Sequence, residues 1–322
     1  MAVAKSKVRL KFEPHPKDGI YDKAPPDPKV DLFVFEDGGG LPKDRLPQFK
    51  DRLRSGTFEK GGGFRSSAFK FLRVAMEGGA EVVPGEMTGS RAEQAKLSAL
   101  DRRMGDELSN ATFETHMWNI KDFFDAYSAF YTERHRLIRR TIRDGVAAGS
   151  KVEARYGDTH SILSKELTED GIETERQMEP TLMGWNTSVL RRRMRGVGRD
   201  EIPEIDYKRG FVAFMTEAYL PTGWSIGAKS GQINAGTVKL ASLVETTMIE
   251  KLPEPTLDNI LETKDFAAIT EESGFPLSIK GRTRPRAIEK WLDANAKDHP
   301  EGISARFWKH LSKENRKAIL SG

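Results

Sequence analysis

Residues 111–143 read ATFETHMWNIKDFFDAYSAFYTERHRLIRRTIR, with no glycine and no proline. Phe113, Met117, Ile120, Phe124, Tyr127 and Tyr131 recur at alternating steps of four and three. Ile138 and Ile142 continue the stripe after a gap at Arg134. This spacing puts the apolar residues on one face of a helix. Ser109 and Asn110 are suitable N-cap residues, and Gly145 is a suitable stop. A helix of this extent is about 48 Å long at 1.5 Å per residue. Its last third is basic, because Arg134, Arg136, Arg139, Arg140 and Arg143 load the end where the helix dipole favours cations.

Working outward, residues 90–108 predict a second helix, with Leu97, Leu100, Met104 and Leu108 on one face. The short link to the long helix predicts an antiparallel hairpin at the centre of the core. Further upstream, VDLFVFE at 30–36 is the clearest strand, ended by Asp37, Gly38, Gly39 and Gly40. Helices over 42–54 and 64–77 and a strand over 80–83 give a β-α-α-β order. Residues 1–29 read as an arm. Lys5, Lys7, Arg9 and Lys11 alternate with apolar residues, and Pro14, Pro16, Pro25, Pro26 and Pro28 follow. That arm predicts either an edge strand or a basic tail. Downstream, 161–167, 185–195, 237–252, 257–262, 283–295 and 303–319 predict helices, and 152–175 is otherwise polar and mixed.

The expected fold is therefore mainly α with a small N-terminal α+β element, and a helical hairpin core built on the long helix 111–143. The expected organisation is an arm (1–29), a small α/β element (30–88), a helical core (89–252) and a C-terminal helical region (253–322). The chain has 322 residues, 37% hydrophobic and 31% charged, with 52 basic and 48 acidic side chains and a formal charge of +4. That balance makes local clustering matter more than net charge. Cysteine is absent, which excludes disulfides, thiolate metal sites and cysteine nucleophiles. No apolar run is long enough for a signal peptide or a membrane span, so the expected location is the cytoplasm, a virion or a phage particle.

Three basic groups stand out: the arginines of the long helix; Arg191, Arg192, Arg193, Arg195 and Arg199; and Lys280, Arg282, Arg284, Arg286 and Lys290. Guanidinium forks match phosphate oxygens, and neutralising several phosphates releases counterions. Trp185 and Trp291 are available for base stacking. The glycine-spaced segment 223–236, GWSIGAKSGQINAG, adds Lys229 as a further phosphate contact.

Asp37 with Gly38, Gly39 and Gly40, followed by Gly61, Gly62, Gly63 and Phe64, places two glycine turns around a strand end and a helix start. Backbone N–H groups there can face phosphate. The arrangement resembles the nucleotide-binding boxes of the Bergerat-type ATPases, the gyrase, heat-shock-90 and histidine-kinase group. In that family an Asp before glycines reads adenine and a later glycine loop covers the phosphates. The resemblance ends with this segment: no upstream helix carries a magnesium-binding Asn or Glu, and Leu41 stands where a further Gly is expected. Glu36 and Asp37, with Lys43 or Lys60, also have the composition of a nuclease-like set around magnesium.

The histidines, at 15, 116, 135, 160, 299 and 310, are scattered, with no HExxH motif and no i, i+4 pair. Spacing therefore calls for no cofactor and no metal. No P-loop, GxSxG or dinucleotide fingerprint occurs.

Two functions of different classes are expected from these residues. The first is a structural nucleic-acid-binding assembly protein of nucleocapsid or coat type. It self-associates and contacts RNA or single-stranded DNA through Arg134, Arg136, Arg139, Arg140, Arg143, Arg191, Arg192, Arg193, Arg195, Arg199, Lys229, Arg282, Arg284 and Arg286. The alternative is an enzyme on phosphate-containing substrates, a nucleotide hydrolase or nuclease, that uses Asp37 and the glycine turns. A non-enzymatic accessory factor acting through protein contacts is a third option.

Overall fold

The computed structural model describes residues 8–13, 29–36, 40–59, 64–113, 117–157, 160, 162–178, 190, 194, 197–219, 235–265, 267–276 and 285–321. The chain is mainly helical with a small α+β element, as its sequence predicts. It divides into two compact units. Unit 1 is Met1–Asp106 with Asp125–Glu179, and unit 2 is Glu107–Phe124 with Pro180–Gly322.

Unit 1 is organised on a five-stranded, wholly parallel sheet. Its strands are β1 (Val8–Glu13), β2 (Leu32–Phe35), β3 (Glu81–Pro84), β4 (Val152–Gly157) and β5 (Thr174–Met178), in the spatial order β3-β2-β4-β1-β5. The arm is thus neither an edge strand nor a tail over Val8–Glu13. β1 pairs on both sides, with Leu10 opposite Ala154 of β4 and Arg176 of β5. A parallel sheet must cover both faces, and this one does. Phe33, Phe35 and Val82 pack on Phe49 and Leu53 of α1 (Leu46–Arg54) and on Leu72 and Ala75 of α2 (Phe64–Glu77). On the opposite face, Val8, Leu10, Val34, Val152 and Ala154 meet Ile138 and Ile142, together with Leu163 and Leu167.

Those last residues come from two further helices, α4 (Met117–Ala147) and α5 (Leu163–Glu169). α4 follows α3 (Arg91–Phe113), and within unit 1 the two run antiparallel. Lys96 meets Glu133, while Glu93, one turn earlier, meets Arg136 and Arg140 further along α4. Leu97, Phe130 and Leu137 fill the seam.

The helix boundaries differ from the sequence expectation at both ends. Ser109 and Asn110 lie inside α3, which continues to Phe113. Nor does the helix stop at Gly145. A Cβ there would lie 2.3 Å from Leu32 Cδ2, so this glycine serves close helix-to-sheet packing. The stop is Gly149, with φ +80°, whose N–H donates to Val146 O while Ser150 N–H donates to Gly145 O.

Unit 2 is helical among its described residues: α6 (Glu204–Tyr219), α7 (Ala235–Lys251), α8 (Glu254–Thr263), α9 (Ala267–Glu272), α10 (Pro285–Asp298), α11 (Ile303–His310) and α12 (Lys313–Ser321). The first turns of α4 belong to it, and Phe123 meets Phe211 edge-on at 5.7 Å and Phe214 at 5.0 Å. Among the described residues, no helix is long and apolar enough to cross a membrane.

Candidate functional site

In an open parallel sheet, ligands bind beyond the carboxyl ends of the strands. The preferred place is where connections from neighbouring strands leave to opposite faces. Here that place lies between β2 and β4. β2 leads to α1 and α2 on one face, and β4 leads to α5 on the other. Polar side chains gather at this edge. Glu36 follows β2, Glu86 follows β3 and His160 follows β4, while α4 supplies Arg134 and His135, and α5 supplies Glu166.

The six side chains form one chain of contacts. Arg134 Nε donates to Glu86 Oε1 at 3.0 Å, its Nη2 donates to the same oxygen, and Nη2 also donates to Glu36 Oε1 at 2.9 Å. His160 Nε2 lies 3.1 Å from Glu36 Oε1. His160 Nδ1 lies 2.9 Å from His135 Nε2, and His135 Nδ1 lies 2.7 Å from Glu166 Oε2. Glu86 and His160 are 0% exposed, and Arg134, His135 and Glu166 are buried too. Burial opposes the charge of Arg134, but the Glu86 and Glu36 carboxylates outweigh it and hold the guanidinium pKa well above its usual value. Tyr131 and Tyr156 wall the imidazole, each ring centre 5.3 Å from that of His160.

Backbone constraints aim these groups. Gly85 N–H donates to Phe35 O, and Thr141 Oγ1 donates to Gly85 O, which ties the segment carrying Glu86 to both β2 and α4. A Cβ at Gly85 would lie 1.7 Å from the Tyr156 hydroxyl, so only glycine lets the tyrosine close on this edge.

The arginines predicted on α4 are mostly engaged within the fold. Arg134 holds Glu36 and Glu86. Arg136 donates to Glu93 at 2.8 Å and Glu133 at 2.7 Å, and those carboxylates raise its pKa beyond the ordinary arginine value. Arg139 grips Asp170, its Nε donating at 2.7 Å. Arg140 donates to Glu93 and to Met87 O at 2.8 Å. Arg143 is exposed. In unit 2, Arg199 pairs with Asp122 at 2.8 Å and sits 5.2 Å over the ring of Trp118. Arg286 is exposed at the start of α10. Arg191, Arg192, Arg193, Arg195, Lys229, Arg282 and Arg284 lie outside the described residues, as do Asp37, Lys60 and Gly61–Gly63. Lys43, from the nuclease-like set, is exposed.

Of the candidates read from sequence, the structure brings together Glu36 and Arg134. It adds Glu86, His135, His160 and Glu166, which spacing did not single out. One signal was legible: the gap in the apolar stripe at Arg134, a charge on the core face of a helix. Beside it stands His135, the next residue. Comparison with protein-family models, curated proteins and solved structures finds no match to this chain, so the geometry of this edge is what bears on function.

Proposed function

We propose that the protein is an enzyme acting on phosphate esters, with its reaction centre at the carboxyl edge of the parallel sheet. The observation carrying this reading is the convergence of Glu36, Glu86 and His160 from three adjacent strand ends onto one buried, hydrogen-bonded network. Evolved active sites gather ionisable groups in this way at this edge of parallel sheets. Hydrolysis there requires attacking water to lose a proton and form a bond to phosphorus. The P–O bond to the leaving alcohol breaks, and the alkoxide takes up a proton. The substrate class is taken from the basic runs of the sequence at 191–199 and 280–290, which suit a polyanion. The test is hydrolysis of bis(p-nitrophenyl) phosphate and of labelled single-stranded RNA and DNA. Replacing Glu36 or Glu86 by Gln is expected to lower turnover ~100-fold or more with the far-UV circular dichroism unchanged. Wild-type protein without turnover on any of these substrates, with or without added divalent cations, sinks the reading.

The structural nucleic-acid-binding reading keeps one specific support in unit 2. Trp118 is 66% exposed, with Arg199 5.2 Å and Lys121 5.9 Å from its ring centre. An exposed indole flanked by cations is the composition of a base-stacking platform. Trp118→Ala should then weaken single-strand binding, measured by fluorescence anisotropy at low salt.

A further inference from the structure

We propose that Glu36, Glu86 and His160 bind one divalent transition-metal cation of the zinc, manganese or ferrous type. The inference rests on reading this cluster as the functional centre, but the binding it asserts is measurable without turnover. Each residue offers a ligand atom, and these atoms all lie within 4.8 Å of one another. A metal about 2.1 Å from each atom needs them within roughly 4.2 Å, so closing the site takes a shift on the order of half an ångström. That is a side-chain adjustment, since the sheet already fixes the three strand ends.

A second observation points the same way. The two imidazoles make three contacts in line, to Glu166, to each other and to Glu36. His135 holds His160 through Nδ1, which leaves His160 Nε2 turned toward Glu36, 3.1 Å from its Oε1. A cation bound at Nε2 would be shared by His160 and the neighbouring carboxylates. His135 and Glu166 then form the outer support typical of metal-binding histidines, fixing the tautomer and aiming the ring.

The donor set decides the class of metal. One imidazole with two carboxylates suits zinc, manganese or ferrous iron, whereas calcium and magnesium favour oxygen donors alone. Arg134 bridges the two carboxylates and sets their spacing. Its charge opposes a neighbouring cation, so the expected dissociation constant is on the order of 1–10 μM rather than nanomolar. A cation there would supply a Lewis acid to a phosphoryl oxygen or a bound water.

The experiment uses the full chain, stripped with EDTA and dialysed. Mn2+ and Zn2+ are titrated by calorimetry, Mn2+ binding is followed by electron paramagnetic resonance, and a Zn2+-soaked crystal is searched for anomalous scattering. The expected result is one equivalent bound, with the anomalous peak bounded by Glu36, Glu86 and His160. His160→Gln and Glu86→Gln should each lower affinity at least tenfold. If either variant fails to fold, the wild-type stoichiometry and the position of the peak still decide. No uptake by wild-type protein overturns the proposal. A peak elsewhere, or folded variants that bind as tightly as wild type, overturns it equally. Protein that binds metal at these ligands yet turns over no phosphate ester upholds the site and removes the enzymatic reading instead.

Discussion

Arg134 is the residue on which the candidate site balances. It is a full charge on the core face of α4, held by Glu86 and Glu36. Removing one partner of a buried pair leaves the other charges in low dielectric without compensation, which typically costs about 3–5 kcal/mol. Arg134→Ala should therefore destabilise unit 1 by roughly that amount, read as a lower urea midpoint with an unchanged slope. A loss below about 1 kcal/mol would mean that water or another group reaches Glu86. Gly85 is the matching steric constraint. It interrupts the path from β3 to Glu86 because the Tyr156 hydroxyl occupies the space that any side chain would need. Little of this was legible residue by residue. Arg134 could be seen interrupting a stripe, but its partners Glu36 and Glu86 lie 98 and 48 positions away. No local spacing encodes that.

At the scale of elements, the α3–α4 hairpin is clasped by charge outside its apolar seam. Glu93 receives Arg140 Nη1 at 2.7 Å, Arg136 Nη2 at 2.8 Å and Gly89 N–H at 2.7 Å. The Arg140 hydrogen bond, with help from Arg136, lowers its pKa from 4.5 to about 2. Glu133, through Arg136 and Lys96, and Asp170, through Arg139, are lowered as well. A depressed folded-state pKa gives stability that is fully present above the unfolded value and is lost as pH falls through the folded one. The clasp is thus intact above about pH 4.5 and fails toward pH 2. Acid titration followed by circular dichroism should show stability falling across this window, and Glu93→Gln should flatten the fall. These pairs are partly exposed, so the effect should also shrink with added salt.

The elements also show why some of the sheet escaped notice. β4 reads VEARYG, and β5 reads TERQM. Glu153 and Arg155 in β4 are buried and hydrogen-bonded to each other, Nε to Oε1 at 2.9 Å, with Arg155 4.5 Å over the ring of Phe71. A buried charge pair makes a central strand look like a polar loop. β2 and β3 were legible because their runs, LFVF and EVVP, are almost continuously apolar, as burial of both faces of a parallel sheet demands.

For the whole molecule, the chemistry that an assembly protein would use and the chemistry that an enzyme would use fall in different units. The carboxylate–imidazole network belongs to unit 1, and Trp118 with Arg199 belongs to unit 2. Purification without nuclease, with absorbance at 260 and 280 nm read across a size-exclusion peak, separates the two readings. A large nucleic-acid-rich species that dissociates in high salt supports assembly. A clean peak of single-chain mass favours the enzyme or the accessory factor.

Sequence alone determined what repeats over a few residues. Apolar periodicity specified the helices of the hairpin, an unbroken apolar run specified β2, and the absence of cysteine excluded whole chemistries. Only the tertiary structure decided what joins distant residues. It placed β1 inside the sheet rather than at its edge, moved the helix stop from Gly145 to Gly149, and turned four of the five α4 arginines toward the protein's own acids. It also brought Glu36, Glu86 and His160 to one edge. The reason is physical: a helix closes its hydrogen bonds within four residues, whereas a parallel sheet finds every partner across a crossover. Strand order, and any site built on strand ends, is therefore settled by long-range packing.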